Sequence, residues 1–173
     1  MPNARPPALL HEIFEATQSR HPEQIAIEIP PGTGRPQRRA VSYAALWAEA
    51  GRLAAEIGSS QQPDRLVVML LPRESPALYA AQLAVLQAGA AFVCLDPRFP
   101  DAQIRAVLDD AEPVALVTDT AGGVRVAGLA PEGLRVVNVD VALPEGRPLP
   151  PAALRAPAPS PKFGVGGESP PLD

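Results

Sequence analysis

Residues 86–100 read LQAGAAFVCLDPRFP, and this stretch decides the fold. Leu83 and Leu86 close an apolar helical face, and Gly89 stands where a left-handed cap ends a helix. Ala90–Leu95 is almost wholly apolar, the pattern of a strand buried on both faces of a parallel sheet. Asp96 and Pro97 end it, because Asp is poor in strands and Pro97 has no N–H for a ladder. Asp101 then reads as the cap of the next helix. One strand with a helix on each side is thus expected, and the neighbouring sequence repeats the arrangement.

Upstream, Ser75 and Pro76 form an N-cap and first-turn pair for a helix over Pro76–Ala88 carrying Leu78, Tyr79 and Gln82. Before it, Leu66–Leu71 is a continuous apolar run ended by Pro72, the first central strand. Further back, Leu46, Ala50, Leu53, Ala54 and Ile57 make an apolar stripe on a helix over Ala44–Ile57, with Ser42 as N-cap and Gly58 as stop. Ile25, Ile27 and Ile29 alternate with Ala26 and Glu28, a half-exposed strand at a sheet edge, and Arg38–Val41 reads as its returning partner. Leu9, Leu10, Ile13, Phe14 and Thr17 give a short amphipathic helix ended by Pro22.

Downstream, Ile104, Val107, Leu108 and Ala111 line a helix that Pro113 ends. Val114–Thr118 is a third apolar strand and Leu134–Val139 a fourth. Strands alternating with helices through short connections give an α/β, doubly wound, mostly parallel sheet with flanking helices. The three central strands are apolar on both faces. The helices at hand cover one face and part of the other, so an open strand edge and exposed apolar surface are expected.

The 173 residues suit one domain, and 46% hydrophobic residues suffice for a core that Ala, Leu and Val must fill, aromatics being only 4%. A net charge of −4 gives no reason to expect nucleic acid or an anionic membrane surface. One cysteine excludes an internal disulfide framework. No secretion signal and no membrane-length apolar run is visible, so a cytoplasmic location is expected. Nine of the 23 prolines fall between Pro144 and Pro171. The expected organisation is a flexible segment over 1–8, an ordered unit over 9–141, and an extended or disordered proline-rich tail over 142–173.

Single residues yield no catalytic, cofactor or metal site. Asp96, at the carboxyl end of a strand where α/β proteins often place ligand contacts, reads as a turn residue bonding its own backbone or the next helix. Cys94, inside an apolar strand, reads as a buried, inert thiol. His11 and His21 lack the Cys or carboxylate frame of a metal site. Arg38 and Arg39 read as a solvated loop, and Trp47 as a core anchor. Gly164, Gly166 and Gly167 precede Glu168, Ser169, Pro170 and Pro171, which do not suit a phosphate cradle: no strand leads in and Glu168 repels an anion.

The segments VSYAALWAEAGRLAAEI (41–57), LLPRESPALYAAQLAVLQAGAAFVCLDPRFP (70–100) and IRAVLDDAEPVALVTD (104–119) together resemble adenylate-forming enzymes. The likeness spans about Leu9–Asp140 and is greatest to amino-acid-activating adenylation domains of nonribosomal peptide synthetases. Gln87 stands where the family usually has Lys, and Cys94 where it usually has Pro. The resemblance implies ATP and magnesium as the family's cofactors, acyl-adenylate as product, and transfer to a carrier-protein thiol. The family's phosphate loop, adenine-binding segment, ribose-binding Asp and late Lys belong to later sequence, so the expected identity is the N-terminal portion of such an enzyme, inactive alone. Two other readings are a noncatalytic module that binds a partner carrying the rest of the enzyme, and an unrelated flavodoxin-like binding domain. The ordered set of matches opposes the last.

Overall fold

A computed structural model describes residues 9–32, 36–58 and 65–141. The expectations for segments 1–8 and 142–173, including the glycines at 164–167, fall outside these residues.

The first elements form a small unit. Helix α1 (Leu10–Arg20) is followed by an antiparallel hairpin of β1 (Ile25–Ile29) and β2 (Arg39–Ser42). The hairpin is a separate two-stranded sheet rather than the edge of the main one. Ser42 leaves β2 directly into α2 (Tyr43–Ile57), its hydroxyl accepting from Ala45 N–H at 3.2 Å. Trp47 is half-buried and stacks on Phe14 with centroids 5.9 Å apart. It anchors α1 to α2 rather than the sheet core.

The main unit alternates β3 (Leu66–Leu70), α3 (Pro76–Gln87), β4 (Ala91–Leu95), α4 (Asp101–Ala111), β5 (Ala115–Thr118), α5 (Thr120–Val126) and β6 (Arg135–Asn138). The four strands are parallel in the order β4-β3-β5-β6. Alternation along β3 sends Val67 and Met69 to one face and Val68 and Leu70 to the other. The first face packs on α2 and α3, and the second on α4 and α5, so both faces are covered. Ala77, Ala80, Ala81 and Ala84 of α3 are all buried, small side chains that let α3 approach α2 and the sheet closely. Leu83 and Leu86, which the periodicity places on an apolar face, are only half-buried and border a groove instead.

Three further expectations are corrected. β4 is an edge strand rather than a doubly buried one, with Ala91 and Cys94 exposed. Its composition suits an interior place that its position does not supply. The Cys94 thiol is therefore exposed, 3.7 Å from Gln82 Nε2. Asp101 is the first residue of α4, not its cap. Pro100 occupies the cap, and the Asp101 carboxylate faces Arg125 instead. The sequence reading also lacked α5, whose Gly122 and Gly123 disguise a helix.

Turn chemistry follows the residues. Gly89 has φ 70° and ends α3 as expected. The equivalent place after α4 is taken by Glu112 at φ 41°, an unusual site for a side chain, just before Pro113. The carboxyl end of α2 is held by two arginines. Arg65, buried at the entrance of β3, donates to Gly58 O at 3.1 Å, and Arg135 of β6 donates to Glu56 O at 2.8 Å. Cations there match both the orphan carbonyls and the helix dipole.

Candidate functional site

In open parallel sheets, ligands bind beyond the carboxyl ends of the strands where the strand order reverses. Here β3 is followed by β4 on one side and β5 on the other, so the reversal lies between β3 and β5. Thr118, fully buried at the end of β5, bridges it by donating its hydroxyl to Leu70 O at 2.9 Å.

Three clusters surround this point. After β4, the Asp96 carboxylate accepts from Arg98 N–H at 2.9 Å and from the Arg98 guanidinium at 3.0 and 2.7 Å, with Arg73 at 3.6 Å. The first of these is the backbone-bonded turn expected of Asp96. The Arg98 side chain, then its N–H, hold the Asp96 carboxyl well below the usual carboxylate range, against the opposing effect of burial. Asp96 stays ionised near neutrality and is a poor proton carrier there. After β5, Asp119 caps α5 by accepting from Gly122 N–H at 2.7 Å. A Cβ at Gly122 would lie 2.0 Å from Thr118 Oγ1, so the missing side chain makes room for the bridging threonine. After β6, Asp140 accepts from Thr120 N–H at 2.7 Å, and Asn138 donates to Thr120 Oγ1 at 3.1 Å.

Arg125 of α5 ties the first cluster to the second. Its guanidinium bonds Pro97 O, Phe99 O at 2.5 Å and Asp101 Oδ1 at 2.6 Å, fixing the connection from β4 to α4. The sequence assigns Thr118 only the end of a strand, and Arg125 and Gly122 no role. Asp119-Thr120 is a legible capping signal, but nothing local announces contacts that cross tens of residues.

The other singled-out residues take no part. Arg38 pairs with Glu28 across the hairpin. Arg39 is exposed on β2. His11 is near the start of α1 and His21 at its end, about 15 Å apart at ~1.5 Å rise per residue. Among the described residues no group of three or more His, Cys, Asp and Glu side chains could hold a metal.

ATP with magnesium does not fit this carboxyl edge by itself. Arg73 and Arg98 share one carboxylate, and the Ser75 and Asp119 side chains already accept the first-turn amides of α3 and α5. The edge is a frame whose polar groups hold one another, with no nucleophile poised beside a base among the described residues.

With that geometry in view, the relatives are informative. The sequence profile of the family described as AMP-binding enzyme matches residues 14–164. The chain belongs to the AMP-binding enzyme family. It is 37% identical over 116 residues to a dimodular nonribosomal peptide synthase of Bacillus subtilis, covering 66% of this chain and 4% of that protein. It is 34% identical over 147 residues to CymA of Salinispora arenicola, described as a probable non-canonical nonribosomal peptide synthetase, covering 82% of this chain and 2% of that protein. Its fold matches a fused adenylation–PCP di-domain, NpsA-ThdA of Klebsiella oxytoca, with a TM-score of 0.60 at 22% identity, over 80% of this chain and 25% of that one. The N-terminal subdomain of NpsA matches with a TM-score of 0.59 at 20% identity, over 86% of this chain and 37% of that one. The chain thus spans a small part of the curated relatives and about a third of the solved subdomain. The parallel sheet with flanking helices is that of the N-terminal part of an adenylate-forming enzyme. No helix among the described residues is long and apolar enough to cross a membrane.

Proposed function

We propose that residues 9–141 form the N-terminal frame of an amino-acid adenylation domain of the nonribosomal peptide synthetase kind. The match of the AMP-binding enzyme profile across residues 14–164 carries this reading. In the whole enzyme, ATP and magnesium supply the activation of a carboxylate as acyl-adenylate, and a carrier-protein thiol receives the acyl group. The part of this chain is mechanical. The Thr118 bridge fixes β5 against β3, and Arg125 fixes the connection after β4, so that the carboxyl edge is presented as one rigid rim.

Among the described residues at the carboxyl edge, Arg73 and Arg98 pair with Asp96 and are not positioned for the charge that develops on a transferred phosphate. The purified chain therefore shows no amino-acid-dependent exchange of pyrophosphate into ATP. Robust exchange, dependent on an added amino acid and absent from a mock preparation, would overturn this reading.

A further inference from the structure

The carboxyl end of α4 carries the wrong charge for its place. Asp109 and Asp110 lie in the last turn and Glu112 follows as the cap, with no basic residue in that turn. The helix dipole favours cations there, and neighbouring carboxylates repel one another. Arg105, one turn earlier, donates to Gly128 O at 3.4 Å, and Arg135 reaches α2. None of the three acids is in an ion pair among the described residues. Asp109 and Glu112, with Glu132 from the turn before β6, rim a cleft of about 490 Å³ at the amino edge of the sheet. Its floor is apolar, made by Leu108, Val114 and Leu134. Val114 is 38% exposed. Val136, two residues beyond Leu134 on the same face of β6, is 46% exposed. An apolar strip therefore leads from the cleft along β6 towards the end of the described chain.

We propose that this cleft is the docking site of the chain's own residues 147–155, which read RPLPPAALR. Charge selects this occupant. From 146 to 167 the sequence carries Arg147, Arg155 and Lys162 and no acid, the complement of the rim. Arg147 and Arg155 bracket Leu149 and Leu154, so cations meet the carboxylates while leucines cover the floor. Pro148, Pro150 and Pro151 have no N–H to leave unsatisfied against that floor. Length also fits. From the end of η1 (Val139–Val141) back to Leu134 is at most about 23 Å at ~3.3 Å per residue. A polyproline-type segment rising ~3.1 Å per residue covers that distance by about Leu149. A short tether holds the segment beside the cleft at an effective concentration on the order of mM, which favours it over a free peptide. The docked segment straps β6 to α4. This inference stands on the charge and geometry of the cleft and does not depend on the proposed function.

Methyl NMR on the whole chain tests this. At low salt, nuclear Overhauser contacts join the Leu149 or Leu154 methyls to those of Val114 and Leu134. They fade as sodium chloride is raised, because the rim is exposed and its pairing is screened. Arg147→Glu with Arg155→Glu abolishes them and shifts the Val114 and Val136 methyl signals, while the methyls of Val67 and Met69 on the opposite face stay in place. Adding Asp109→Lys and Glu132→Lys to that variant restores the contacts. A folded chain whose cleft methyls show no contact with residues 147–155 at low salt overturns the proposal. Contacts that survive the charge reversal also overturn it, since the rim would then not select the segment. So do contacts that appear between differently labelled copies in a mixed sample, which would make the occupant a second chain. If the rim variants do not fold, the contacts in the unmodified chain and their loss on reversing Arg147 and Arg155 decide alone.

Discussion

The β3–β4 flank and the β5–β6 flank belong to the same sheet but are held by different forces. On the first, α3 presses four buried alanines towards α2 and the strands, and the contacts are almost wholly apolar. On the second, polar side chains do much of the joining. Thr118 reaches Leu70, Asp119 caps α5, Asp140 and Asn138 hold Thr120, and Arg125 grips the β4–α4 connection. Apolar packing tolerates small shifts and loses stability with volume, whereas a buried polar contact fails when either partner moves out of reach. The chain thus combines a packed flank with a wired one, and the wired flank frames the carboxyl edge.

The largest expected effect comes from Gly122→Val. Its Cβ would meet Thr118 Oγ1 at 2.0 Å, so either α5 moves or the Thr118 bridge breaks. We expect a loss of about 3 kcal/mol, combining overpacking with a buried Thr118 hydroxyl deprived of its acceptor, read from denaturant unfolding. A loss within experimental error would show that α5 is not seated as described.

On the packed flank, Ala81→Leu adds volume where Ala81 is fully buried. The expected cost is about 2 kcal/mol. Hydrogen exchange should quicken in α3 and β4 while Thr120–Val126 keeps its protection. Equal quickening on both flanks would remove the distinction between them.

These two sites show what the sequence could and could not reveal. The α3 helix was legible because Ser75-Pro76 opens it, Gly89 closes it and the apolar residues between are continuous. The four strands were legible as apolar runs, and the order of helices and strands followed. The edge position of β4 was not, because composition reports what a strand is suited to and not which neighbours it has. The exposure of Cys94 follows from that one misplacement. Helix α5 was hidden because paired glycines oppose helix propensity, and only the tertiary contact with Thr118 explains Gly122. The frame at the carboxyl edge was mostly invisible. Asp96 was placed correctly as a turn residue, but the contacts from Arg125 to Pro97 and from Thr118 to Leu70 join residues 28 and 48 apart.

The smallest effect concerns acid. The Asp96 carboxyl is held below its ordinary value by Arg98, so its contribution to stability is present above the unfolded value of roughly 3.9 and fades as pH falls below it. Arg98 and Arg73 are well exposed, so solvent screens the pair and the effect is slight. Asp96→Asn should flatten the acid limb of the stability profile and leave its neutral region nearly unchanged. An acid limb of unaltered slope would place the sensitivity elsewhere.

The most direct test of the frame is to let it serve in a complete enzyme. Residues 9–141 are exchanged for the matched segment of the Bacillus subtilis dimodular synthase, and pyrophosphate exchange into ATP is measured with each amino acid. The chimera is expected to melt cooperatively and to catalyse exchange with the recipient's own amino-acid preference. A chimera that folds and melts cooperatively, yet shows no exchange with any amino acid, would contradict the claim that this chain is the frame of an adenylation domain.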